Sequence, residues 1–179
     1  MSAETRYRGP AILAHWLMAA LILALLPLGF YMQGLPLSPA KLQLYAWHKW
    51  VGMTVLLLAV LRLAWRLTHR PPPPLPGPAW QLQIAALTHA LLYLLLFAVP
   101  LAGWLMSSAK GFPVVWFGLL PLPDLVGRDE ALGRLFQIAH QGLAWGMAIL
   151  VLLHLAAALK HHWVDRDGTL ARMLPGPRP

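Results

Sequence analysis

Residues 135–159 read LFQIAHQGLAWGMAILVLLHLAAAL, 25 residues without a single charge. At a rise of about 1.5 Å per residue, roughly 20 apolar residues cross the hydrocarbon core of a bilayer, so this stretch predicts a membrane-spanning helix. Three others share its character. Residues 11–32 carry no charge over 22 positions, residues 42–67 are interrupted by Lys49 near the start and by Arg62 and Arg66 near the end, and residues 80–108 lie inside a 39-residue uncharged stretch. The fold expected is all-α and integral to the membrane: four transmembrane helices (11–32, 42–67, 80–108 and 135–160) bundled into a single membrane domain over 1–179. Pro27 and Pro100 are expected to kink the first and third helices.

Composition agrees. Of 179 residues, 59% are hydrophobic and 11% charged, whereas a soluble domain carries about 25% charged residues. So much apolar surface cannot be hidden in a globule of this length, and it equally excludes a disordered chain. The absence of cysteine rules out disulfides, thiolate zinc sites, iron–sulfur clusters and covalent CxxCH haem attachment. The first span has a charged start in Arg6 and Arg8, but its apolar run is long and no small-residue cleavage site follows, so it is expected to be retained rather than cleaved. Nucleic acid is not expected as a partner; membrane lipid is.

Lys and Arg set the orientation. Both termini and the Pro-rich loop 70–79 share one side, which holds Arg6, Arg8, Arg62, Arg66, Arg70, Lys160, Arg166, Arg172 and Arg178. The other side holds Lys41, Lys49, Lys110, Arg128 and Arg134. The richer side is expected to be cytoplasmic, with Pro71–Pro78 as a stiff connector there. The periplasmic loop 109–134 contains an apolar stretch, Gly111–Gly127, broken by Pro113, Pro121 and Pro123; an interfacial loop on the outer face is expected, not a fifth span.

Eight histidines stand against six acidic residues. Five of them, His15, His48, His89, His140 and His154, fall within or just inside the spans, where an ionisable side chain is costly and points to function. His140 and His154 are 14 residues apart on one helix. They return to within about 40° of the same face, about 21 Å apart along the axis. His48 enters its span level with His140, and His15 enters its own level with His154, giving two pairs at opposite depths. Paired imidazoles without Cys, Asp or Glu suit a low-spin haem b better than zinc, which recruits three or four protein ligands. Two haems b, one per leaflet, would form a transmembrane electron wire. Gly52 and Gly142 beside the histidines would let a flat macrocycle approach. His89 is also near the inner end, so depth alone leaves it as a second candidate partner for His154, or as a hydrogen-bonding neighbour. Arg62 and Arg66 are placed to neutralise haem propionates or to snorkel as anchors.

The chain also resembles the bacterial cytochrome b561 family over nearly its full length. The motifs are AHWLMA (14–19), HKWVG (48–52), RLAWR (62–66) followed by prolines, HALLYLLLFAVPLAGW (89–104), AHQ (139–141) and HLAAALKHHWVDRDGTLARMLP (154–175). The resemblance implies a four-helix di-haem cytochrome of the inner membrane, with His15, His48, His140 and His154 as axial ligands of the haem iron. It also implies electron exchange with ubiquinone. One branch of the family oxidises superoxide at the periplasmic side and passes the electron to quinone; others link the quinone pool to a redox partner protein, a dehydrogenase or hydrogenase. An unrelated alternative is a haem-free transporter or assembly factor that uses the histidines for protons.

Superoxide is an anion and needs an electropositive approach. Lys49, next to His48, and Arg134, six residues before His140, are the cations expected to steer it. Quinone reduction consumes protons at the other end. His161, seven residues after His154 and on nearly the same face, is the first candidate donor, with His162 and the interfacial Trp163 second.

Overall fold

A computed structural model describes residues 6–174; Arg178 and Pro175, named above, lie outside them. Four long helices account for most of the chain: α1 (Gly9–Gln33), α2 (Pro39–Thr68), α3 (Ala79–Ala109) and α4 (Glu130–Lys160). Between α3 and α4 is a short antiparallel hairpin, β1 (Val115–Trp116) and β2 (Leu120–Pro121). The all-α, four-span architecture expected from the sequence is the one present.

Local chemistry sets the helix ends. Ser38 caps α2 by accepting from the Lys41 N–H at 3.2 Å, with Pro39 in the first turn. Asp129 caps α4 by accepting from the Leu132 N–H at 2.9 Å, and Glu130 follows where the helix dipole favours an acid. α2 stops at His69, whose N–H donates to Trp65 O; Arg70 then precedes Pro71, a position that disfavours helix. α1 and α3 run on through Pro27 and Pro100.

Consecutive helices run antiparallel, so the bundle has two ends. The terminal end gathers residues 6–8 and 161–174 with the 69–78 connector; the hairpin end carries the α1–α2 turn and residues 110–129. α3 packs against α4, α1 against α2 and α2 against α3, and the Phe30–Trp145 ring contact (4.4 Å between centroids) joins α1 to α4. The buried centre is Met18, Val55, Ala59, Leu95, Leu96 and Met147. Leucines on the outside, among them Leu13, Leu61, Leu94 and Leu152, are exposed, as lipid-facing residues must be. In lipid, packing rather than water exclusion holds helices together, and small residues permit close approach. At the hairpin end Gly133 is so close to α3 that a Cβ there would stand 2.9 Å from Lys110 Cγ.

The 109–134 loop has more structure than the expected interfacial segment. Trp50 Nε1 donates to Val115 O (2.6 Å), and Trp116 Nε1 donates back to Trp50 O (3.1 Å) and Thr54 Oγ1 (3.3 Å). Leu122 N–H bonds Val114 O at 2.8 Å, and Val114 is buried. Gly118 (φ +72°) and Phe117 (φ +50°) make the turn. The left-handed Phe117 costs about 1 kcal/mol or more, offset by its ring packing between Trp50 and Trp116.

Candidate functional site

Histidines meet at both ends of the bundle. At the hairpin end His48 on α2 faces His140 on α4, ring centroids 6.2 Å apart and planes at 83°. At the terminal end His15 on α1 faces His154 on α4 at 6.1 Å and 73°. His89 on α3 joins the second pair, 5.4 Å from His154. The depths read from the sequence thus bring together the intended partners, and one more.

These spacings can be tested against what an imidazole pair needs to share one metal. With metal–nitrogen bonds of about 2.0–2.1 Å and a ring centre about 1.1 Å behind each nitrogen, the centroids should stand about 6.2 Å apart. His48–His140 and His15–His154 fit. His89–His154 is nearly an ångström too close, which separates His89 from His15 on distance where depth could not.

The nitrogens support the same reading. His140 Nδ1–H donates to the Val99 carbonyl at 2.9 Å, which leaves Nε2 as the nitrogen free to ligate, the usual arrangement of a metal-binding histidine. His48 Nδ1 is buried without a hydrogen-bond partner among the described residues. An unsatisfied buried nitrogen costs about 1–3 kcal/mol, so a ring held this way has a reason to exist beyond packing.

Sequence reasoning missed the supports of these rings. A Cβ on Gly29 of α1 would stand 3.2 Å from His48 Cε1, and one on Gly103 of α3 would stand 3.1 Å from His140 Cε1 and Nδ1. Each imidazole at the hairpin end therefore rests on a glycine of a neighbouring helix. Gly52 and Gly142, the glycines singled out from the sequence, have open space where a Cβ would go; Gly52 lines the cavity described next and Gly142 does not.

His48 and His140 line a cavity of about 490 Å³, bounded by residues of all four helices, open on one side and largely apolar. Its polar lining includes Lys49, Lys110, Gln137 and Gln141. Lys49 Nζ donates to Pro113 O (3.2 Å), Phe112 O (3.3 Å) and Ser107 Oγ (3.4 Å), tying α2 to the loop after α3. Lys110 donates to Gln137. Arg134 does not line the cavity; it is exposed and ion-paired with Glu130 at 2.6 Å. The Glu130–Arg134 spacing of one helical turn was the available signal for that pairing.

At the terminal end, Arg62 Nε donates to Tyr93 OH (3.1 Å) and Nη1 to Ala11 O (3.5 Å), while Arg66 lies over the Tyr93 ring at 5.4 Å. Arg62 is within electrostatic reach of both His15 and His154. The segment after α4 is organised by charge. His161–Asp165 is a π-helical turn, in which His161 Nδ1 pairs with Asp167 (2.6 Å) and Asp165 (3.2 Å), and Lys160 holds Asp165 at 2.6 Å. His162 and Trp163 are exposed neighbours, ring centroids 6.2 Å apart. Burial alone would raise the Asp167 carboxyl, but hydrogen bonds from the Thr169 hydroxyl and N–H and from His161 outweigh it and hold the pKa below the ordinary value. Beyond it the chain crosses the start of α1: Trp16 Nε1 donates to Met173 O (2.6 Å) and Arg172 donates to Pro73 O (2.8 Å). The terminal motif thereby covers the residue next to His15.

Comparison with known proteins is consistent with this geometry. The family described as prokaryotic cytochrome b561 matches residues 6–176. The chain is 36% identical over 169 residues to "Cytochrome b561 homolog 2" of Escherichia coli (strain K12), covering 89% of this chain and 86% of that one. It is 31% identical over 177 residues to "Cytochrome b561 homolog 1" of the same organism, covering 95% and 97%. It is 32% identical over 132 residues to "Probable superoxide oxidase CybB" of Yersinia pestis, covering 73% and 74%.

Proposed function

This chain belongs to the prokaryotic cytochrome b561 family, haem b-binding electron-transfer proteins of the membrane, and from that premise we propose that it is a di-haem b oxidoreductase taking electrons from superoxide at the periplasmic side and delivering them to ubiquinone. The observation that carries the di-haem reading is the pair of inter-helix spacings, 6.2 Å and 6.1 Å, at the two ends of the bundle. On this reading His48 and His140 hold one haem iron and His15 and His154 the other. When bound, haem b supplies reversible one-electron chemistry at each end.

The remaining work falls to this chain's own groups. Val99 O fixes the His140 tautomer by accepting its Nδ1–H. Arg62 and Arg66 would neutralise propionates of a haem held at the terminal end. Lys49, at the wall of the hairpin-end cavity, supplies positive potential for an approaching anion, with Arg134 farther out and partly compensated by Glu130. His161, its Nδ1 held by Asp167, has Nε2 available to a quinone oxygen, and His162 and Trp163 flank the site. Two superoxide anions give up one electron each and leave as dioxygen; one ubiquinone takes both electrons and two protons from the opposite side. The arginine-rich terminal end, including both termini, faces the cytoplasm of a bacterial inner-membrane protein.

The test is anaerobic mixing of the purified haem-loaded protein with superoxide and ubiquinone, following haem absorption and quinol. Superoxide should reduce the haems and form quinol faster than a haem-free control. A second reading has its own support: Lys49 is already committed to Ser107, Phe112 and Pro113, and Arg134 to Glu130. Cations so engaged suit an electron-transfer subunit linking the quinone pool to a partner dehydrogenase or hydrogenase. Haems that exchange electrons with quinol yet ignore superoxide would establish that reading instead.

A further inference from the structure

Lys110 has no part in the chemistry proposed above. It follows the last residue of α3, and its side chain is half-buried rather than free in water. The stem lies across α4 at Gly133, a buried residue where a Cβ would stand 2.9 Å from Lys110 Cγ and 3.7 Å from Cε. Any side chain at 133 would push the lysine off that track. The ammonium ends on Gln137, to whose side-chain oxygen it donates. Gly133, Gln137 and Gln141 follow one another at single turns along one face of α4. Gln137 stands one helical turn nearer the hairpin end than His140, roughly 5 Å along the axis. Lys110, Gln137, His140 and Gln141 all line the cavity.

The two lysines that line this cavity are held differently. Lys49 donates to three oxygens, Ser107 Oγ, Phe112 O and Pro113 O, which takes up the three N–H bonds of an ammonium. Among the described residues the Lys110 ammonium donates to Gln137 alone, so two N–H bonds are left for a ligand. No Asp or Glu is among the described residues lining the cavity. The two acids at the start of α4 are engaged elsewhere: Asp129 accepts from the Leu132 N–H, and Glu130 pairs with Arg134. An ammonium with donors to spare in an apolar wall suits a carboxylate. Haem b carries its two propionates on one edge, and a charged group is costly in hydrocarbon, so that edge belongs beside a cation near the water boundary.

We propose that Lys110, carried over Gly133 and oriented by Gln137, receives a propionate carboxylate of the haem held by His48 and His140. The inference rests on the di-haem reading above and adds to it which edge of that haem faces the end of α3. It leaves Lys49 for the approaching anion.

The experiment uses purified haem-loaded protein and reads the propionate bending bands by resonance Raman, with haem loss to apomyoglobin as a second measure. Lys110→Gln should shift one propionate band and release the hairpin-end haem about tenfold faster, the scale of one charge-assisted hydrogen bond. Lys110→Arg should recover part of both effects. Lys41→Gln, at the same end but outside the cavity lining, should change neither. Gly133→Ala displaces the stem without removing the charge and should shift the same band by less; it carries the test if Lys110→Gln does not accumulate. In a His48→Ala background, where the hairpin-end haem is lost, Lys110→Gln should leave the remaining band unmoved. Propionate bands unmoved in Lys110→Gln with both haems present overturn the proposal, even if haem is lost faster. A band that follows Lys49→Gln in place of Lys110→Gln overturns it too. A chain with no haem dependent on His48 overturns the di-haem reading along with it.

Discussion

Gly103 is the floor on which His140 rests: a Cβ at residue 103 would stand 3.1 Å from both Cε1 and Nδ1 of that ring. Such a contact is tighter than ordinary van der Waals packing, so Gly103→Ala asks the imidazole to give way by a few tenths of an ångström, and Gly103→Val by more. The same shift strains the bond from His140 Nδ1 to Val99 O. Overpacking of this kind costs about 1–3 kcal/mol, which translates to roughly 5- to 150-fold weaker haem retention. Gly103→Val should lose the hairpin-end haem while the terminal-end haem stays, as read by redox difference spectra. Gly29→Ala should act more mildly on the same haem through His48. Unchanged spectra in Gly103→Val would show that the ring is not held from behind.

Distance sets the second expectation. His15 stands 6.1 Å from His154 and His89 stands 5.4 Å from it, and the larger value matches a shared iron. His15→Ala should therefore lower haem content from two to one per chain, measured as pyridine haemochrome, and so should His48→Ala. His89→Ala should keep both. Loss of a haem from His89→Ala with retention in His15→Ala would exchange their roles.

The spans were legible because length without charge is a one-dimensional property: residues 135–159 announce a helix whatever packs beside them. The four paired histidines were legible for a related reason, since an imidazole in hydrocarbon is expensive and depth follows from counting residues. What surrounds them was not. Gly29 and Gly103 matter because of how α1 and α3 are rotated against their neighbours, and no periodicity in either helix carries that information. The two-residue strands around Phe117 are held by Trp50, more than sixty residues away in sequence. The π-turn at His161 follows an ordinary helical pattern that gives no warning of it. Arg134 shows the converse case: counting back from His140 placed it near the site, while Glu130 one turn earlier already pointed to an ion pair.

The two cations proposed to steer superoxide should behave differently. Lys49 lines the hairpin-end cavity, and Arg134 is exposed, paired and outside its lining. Stopped-flow reduction by superoxide should slow about 3- to 10-fold in Lys49→Gln, the lower end of electrostatic steering, and become less sensitive to salt. Arg134→Gln should change the rate by less than about twofold, because removing it also frees Glu130 at an exposed pair of small energetic weight. A larger effect from Arg134 than from Lys49 would move the approach path to the outer rim.

Acid should loosen the segment after α4 before it loosens the bundle. Asp167 is held below the ordinary carboxylate value by Thr169 and His161, and near that value, about pH 3.9, the unfolded segment binds protons more readily than the docked one. Its contribution is therefore complete above about pH 4 and declines as pH falls through the lowered pKa. Docking of residues 165–174 over Trp16 should be constant from pH 8 to 5 as far as Asp167 governs it, then weaken below about pH 4, with hydrogen exchange at Thr169 rising first because its N–H donates to Asp167 at 2.9 Å. Asp167→Asn should abolish that acid-dependent component and expose Thr169 to exchange at neutral pH, leaving α4 protected. If the wild type and Asp167→Asn lose protection in parallel across the whole range, the carboxylate is not what holds the segment down.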